Sequence, residues 1–228
     1  MSQLDNPLDS RRRLNKLISH LFPRQSDISV NPTNYVSLSQ IETEWKSHIG
    51  KELSPSAWIQ LDQGKIDQFS KLREIVLHRT EFGKNKDKKR GEGDLTGDHN
   101  WIHKYDAKER GSPFDDTVAH GLLSLSFTPT MLYEVMMSDF HVLPLKNMKS
   151  NVNYGYDKIR FISPVLANNS IRGKFQIKSV SKNEHQNAVR VVWIISIETK
   201  HRDTNQIKQA VLVEYVTLFI YNSFKSSK

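Results

Sequence analysis

The chain contains no cysteine among its 228 residues. That absence excludes disulfide bonds and thiolate nucleophiles, and it leaves the redox compartment open. Long hydrophobic runs are also missing. The apolar stretches near Ile194 and Leu212 are interrupted by Glu198 and Glu214 and are too short to span a bilayer. No secretory leader is visible, since Asp5 and Asp9 stand where an apolar segment would be needed, and a cytoplasmic location is expected. There is no internal repeat, no His-Glu-x-x-His zinc pattern, and no nucleophile elbow around Ser124 or Ser126. Acidic residues are the scarcer sign: 25 Asp and Glu against 33 Lys and Arg give a net charge of +8. Such a balance favours anionic partners, but no nucleic-acid-binding motif is present and the aromatics are not interleaved with basic residues. The densest positive block, Lys84 to Arg90, reads as a solvated loop.

What is present suits one domain with a real core. Residues 9–23 read as an amphipathic helix, capped by Ser10, stopped by Pro23, and striped by Leu14, Leu17, Ile18, Leu21 and Phe22. Residues 24–37 read as linker, so the expected division is 1–37 for the extra helix and linker and 38–228 for the main domain. A second helical pattern begins near Asp62, with Ile66, Phe69, Leu72 and Ile75 on one face. A Lys/Gly-rich loop over about 83–95 follows. From Gly121 the chain is apolar almost all round, through Leu122, Leu123, Leu125, Phe127, Met131, Leu132, Val135 and Met136, which predicts a buried helix that Pro129 either kinks or deprives of one backbone bond. The last third changes period. Ile171–Val180, Val189–Glu198 and Gln209–Tyr221, with Tyr154–Ile162 before them, are predicted as strands joined by hairpins. A buried helix before several long antiparallel strands implies an α+β fold with the sheet around the helix.

The chemistry concentrates in Gly97-Asp98-His99-Asn100-Trp101-Ile102-His103 and Ala119-His120-Gly121. A carboxylate and an imidazole stand five residues apart in a loop-like segment. A histidine and a glycine then precede the apolar helix, where backbone N–H groups can hold a developing negative charge. Those parts suit addition or removal of water beside an activated carbonyl. Asp98 also fits a turn or helix cap. Asn100 orients either the turn itself or a bound water, and Trp101 reads as packing. His120 reads as a satisfied histidine supporting the helix start, ahead of a proton donor, and Arg160 either faces an anionic ligand or is an exposed strand arginine. Asp98, His99, His103, Asp106 and His120 are ligand types, but no metal-specific spacing is present and no metal is expected.

Gly97-Asp98-x-Asn100-x-Ile102-His103 resembles the signature of MaoC-like, (R)-specific enoyl-CoA hydratases, with Trp101 where many members carry proline. Asp98-His99-x-Trp101-Ile102-His103 with Ala119-His120-Gly121-Leu122-Leu123 is similar to the NodN-like branch. So are Trp58-Ile59-x-Leu61-Asp62-Gln63 and Tyr154-Gly155-x-Asp157-Lys158-Ile159-Arg160-Phe161. The resemblance runs from about Ile49 to about Tyr221. It implies a hot-dog fold, a homodimer joined through sheet edges, and a hydratase or dehydratase acting on a 2-enoyl or 3-hydroxyacyl thioester. It further implies Asp98 and His103 as the acid/base pair, the Gly121 N–H as oxyanion donor, and Asn100, His120 and Arg160 near substrate. Coenzyme A or acyl carrier protein would carry the acyl group, with no separate cofactor. The segment from about Leu77 to Leu95 is longer than the family's usual connection. Because fold does not fix function, a non-catalytic acyl-binding or scaffold protein stands as the alternative.

Overall fold

A computed structural model of the chain describes residues 36–71, 98 and 100–222. The expected helix over 9–23, the ends of the pattern at Leu72 and Ile75, and the basic loop over 83–95 lie outside the described residues. The first element, α1 (Leu38–Lys46), starts at a capping box: the Ser37 side chain accepts from Gln40 N, and the Gln40 side chain accepts from Ser37 N. Ile41 and Trp45, four apart, share its buried face. Trp45 meets the Trp193 ring edge-on at 6.0 Å and donates Nε1–H to Tyr221. A two-residue strand β1 (Ile59–Gln60) leads into α2 (Gln63–Lys71), where Asp62 Oδ1 accepts from Lys65 N and closes the first turn.

The predicted apolar helix forms as two, α3 (Gly121–Ser126) and α4 (Thr128–Ser138), broken at Phe127. Pro129 lies in the first turn of α4, where its missing N–H leaves no intrahelical bond unmade. The break therefore replaces the expected kink. Leu123, Leu125, Met131, Leu132, Val135 and Met136 are buried, but Leu122, expected inside, is 58% exposed.

Four long strands follow: β2 (Met148–Phe161), β3 (Ser170–Asn183), β4 (Ala188–Lys200) and β5 (Ile207–Tyr221). They contain almost all of the expected strands and run past most of their ends. The antiparallel order is β1-β3-β4-β5-β2, which leaves β1 and β2 at the edges. Alternate residues of β4, Val189, Val191, Trp193, Ile195 and Ile197, enter the core with Met131, Val135 and Met136 of α4. The β3–β4 hairpin turns at Asn187, whose φ of +47° is left-handed backbone that asparagine tolerates. This is the helix-against-long-sheet arrangement of the expected α+β hot-dog fold. Among the described residues, no helix is long and apolar enough to cross a membrane.

Candidate active site

Local hydrogen bonds fold the Asp98–His103 segment. Asp98 Oδ1 accepts from Asn100 N at 3.0 Å, and Asn100 Oδ1 accepts from Ile102 N at 3.3 Å. Asn100 thus caps the short 3-10 helix Trp101–His103, so in this structure it orients the turn. The turn brings His103 Nε2 to 3.6 Å from Asp98 Oδ2. That separation is longer than a direct hydrogen bond and suits two groups that share a third.

The other nitrogen is committed. His103 Nδ1 lies 2.6 Å from the Val118 carbonyl oxygen. A carbonyl only accepts, so Nδ1 carries the hydrogen and Nε2 of the neutral ring presents a lone pair toward Asp98. Val118 is itself fixed, donating its N–H to Ile102 O at 2.9 Å and bridging to Leu166. Gln63 Nε2, on α2, donates to the His103 backbone carbonyl at 3.3 Å. The Val118 carbonyl thereby holds the ring, and α2 holds the backbone that carries it.

His120 lies on top of it. The two imidazoles stack at 3.7 Å with 26° between their planes, and Phe69 flanks His120 at 5.5 Å. His120 is 4% exposed, makes no side-chain cap bond at the start of α3, and has no hydrogen-bond partner on either nitrogen among the described residues. Those residues do not supply the bond expected of a satisfied histidine at the helix start. Burial pushes the His120 pKa down to about 4; His103 adds to that shift and Asp98 opposes it.

Asp98, His103 and His120 bring possible ligand atoms within 4.8 Å of one another. Lone pairs of imidazole lie in the ring plane, and two rings lying face to face do not aim them at one point. Joint ligation of an ion by His103 and His120 needs one ring to rotate. The residues present do not fit a resident metal in this arrangement.

Beside His103 opens a cavity of about 430 Å³, whose walls include Gly121, Ser124, Phe161, Val165 and Val211. Its walls are mostly apolar. Ser124 Oγ is buried and has no partner among the described residues. Gly121 begins α3 without a side-chain cap, so its N–H has no intrahelical acceptor. Arg160 is not brought to this group. It is exposed on β2, its guanidinium donating to the Ile159 carbonyl. Trp101 packs beneath the Arg110 guanidinium at 5.3 Å. His99 lies outside the described residues. Sequence reading singled out neither the Val118 carbonyl nor the roles of Gln63 and Phe161 in the geometry. A backbone acceptor carries no residue signature, but Gln63 and Phe161 each sit at the end of a motif block quoted above.

Comparison with known proteins agrees with this architecture. The family model described as "MaoC like domain" matches residues 46–200. Nodulation protein N of Rhizobium leguminosarum bv. viciae is 30% identical over 175 residues, which cover 69% of this chain and 91% of that protein. 3-hydroxyacyl-thioester dehydratase Z of Mycobacterium tuberculosis is 25% identical over 131 residues, covering 58% and 67% of the two chains. Among solved structures, the MaoC-like dehydratase from Rhodospirillum rubrum superposes with a TM-score of 0.50 at 10% identity, over 77% of this chain and 94% of that one, which supports the shared fold.

Proposed function

The chain belongs to the MaoC-like domain family, and we propose that it adds water to, or removes it from, a 2-enoyl or 3-hydroxyacyl thioester. The observation that carries this reading is the second ring nitrogen of His103, held toward Asp98 by the Val118 carbonyl and set beside an apolar cavity. In the hydration direction, a water held by Asp98 and His103 gives a proton to Nε2 as its oxygen bonds the β-carbon. The π electrons move onto the thioester oxygen as an enolate, and the Gly121 N–H stabilises it. The enolate then takes the proton back at the α-carbon. One water is added, and the pair ends in its starting state. Asp98 balances the imidazolium that exists between the two transfers. Coenzyme A or an acyl carrier protein serves as the handle, consistent with the +8 charge. A homodimer joined through the free edge of β2 would cover Val152, Tyr154 and Phe161, all exposed on that strand.

The test is hydration of crotonyl-CoA, followed as loss of enoyl-thioester absorbance, for wild type, Asp98→Asn and His103→Ala. Turnover by wild type and losses of about 10²–10⁴-fold in both folded variants are expected. Inactivity of wild type on crotonyl-CoA, longer enoyl-CoAs and enoyl carrier proteins would overturn the reading. A thermal shift with acyl-CoA in the same preparation would then favour the acyl-binding alternative.

A further inference from the structure

Gly121 lacks a side chain, and Phe161 occupies the space that one would take. A Cβ placed on Gly121 would lie 2.7, 2.8 and 3.0 Å from three carbons of the Phe161 ring. All three distances are shorter than ordinary carbon contacts, so the ring and any side chain at 121 exclude each other. The ring also lines the cavity beside His103. It does so while Phe161 is 53% exposed, so it is not simply a core residue.

The backbone that carries the ring is pinned. Phe161 ends β2 in register with Val211, another cavity residue. The next residue, Ile162, donates its N–H to the Ala210 carbonyl at 2.8 Å, and Ser163 N–H reaches the same oxygen at 3.3 Å. The ring, carried on this pinned backbone, sits over Gly121 at the cavity wall.

Resting on the hydratase reading above, we propose that Phe161 determines which substituent the α-carbon of the thioester can carry. A thioester oxygen bonded to the Gly121 N–H sets its carbonyl carbon against that glycine. The α-carbon, one bond further, comes within van der Waals reach of the ring. Hydrogen at C2 fits beneath it, and a methyl group at C2 meets it. The site thus favours substrates unbranched at C2, and the glycine at 121 serves the ring as well as the oxyanion.

The experiment compares kcat/KM for 2-methylcrotonyl-CoA and crotonyl-CoA in wild type, Phe161→Ala and Phe161→Leu, with unfolding midpoints to confirm folding. One methyl group in a shaped pocket is worth about tenfold or more in discrimination. The branched-to-unbranched ratio is expected to rise at least about tenfold in Phe161→Ala and by less in Phe161→Leu. Gly121→Ala supplies an independent arm. It should lose crotonyl-CoA hydration in the native background and regain at least about tenfold when combined with Phe161→Ala, because the added methyl then has room. An unchanged ratio, or no recovery in the double variant, while wild type hydrates crotonyl-CoA, overturns the inference and leaves the hydratase reading standing. Absence of crotonyl-CoA hydration in wild type, with no turnover of longer enoyl thioesters, removes that reading and this inference with it.

Discussion

In the sheet, Trp193 buries its indole completely and donates Nε1–H to Thr217 Oγ1 at 2.8 Å. At the turn, His120 is almost as deeply buried, and its two nitrogens meet no partner among the described residues. The same contrast recurs nearby. Tyr221 accepts from Trp45 and donates to the Pro144 carbonyl, whereas Ser124 Oγ beside the cavity has no partner among the described residues. A buried polar group without a partner costs about 1–3 kcal/mol. The sheet and α1, Thr199 Oγ1 of β4 excepted, spend most of their hydrogen-bonding capacity internally and so supply stability. The segment from His103 to Ser124 withholds part of its capacity, as a site must if a ligand is to use it.

The contrast can be broken from the sheet side first. Trp193→Ala is expected to cost about 3–5 kcal/mol in chemical denaturation, because a fully buried aromatic leaves a cavity the strands cannot fill. Activity per folded molecule should hold. From the other side, His103→Gln should lower turnover about 10²–10⁴-fold while the unfolding midpoint moves by only a few degrees. If stability collapsed instead, the turn would prove to be structural.

His120 tests the cost of withholding. Its folded pKa of about 4 lies below the ordinary 6.5. The unfolded chain therefore binds the proton more readily between those values. The stability from keeping this ring neutral is complete above about pH 6.5 and is lost as pH falls toward 4, with an upper bound of about 3 kcal/mol. His120→Phe should flatten that acid limb in unfolding measured across pH 4–7. A wild-type limb no steeper than the variant's would show that the ring is solvated. The smallest effect is expected at Ser37→Ala, where loss of the α1 cap should cost about 1 kcal/mol and leave the turn untouched.

Strands were readable because β-branched and aromatic residues recur with a period of two, and packing then extended Ile171–Val180 to Ser170–Asn183. Helix α1 was not read, although Ser37 and Gln40 form a capping box, because only Ile41 and Trp45 mark its buried face. Asp98 and His103 could be paired from sequence because one short turn joins them. The stacking of His120 on His103 could not, since it depends on the 16 intervening residues doubling back through the Val118–Leu166 bridge. Phe161 reaches Gly121 from 40 residues away, through the register of β2 on β5, which no local pattern encodes.

The bond from His103 Nδ1 to the Val118 carbonyl leaves the imidazole with a single port. A proton that enters at Nε2 must leave by Nε2. For the chemistry proposed above, the base of hydration and the acid of dehydration are then one atom used twice, in opposite order. Nothing in such a ring favours one direction. The net flow is set by the thioesters the cell presents, so the turn works as a reversible valve.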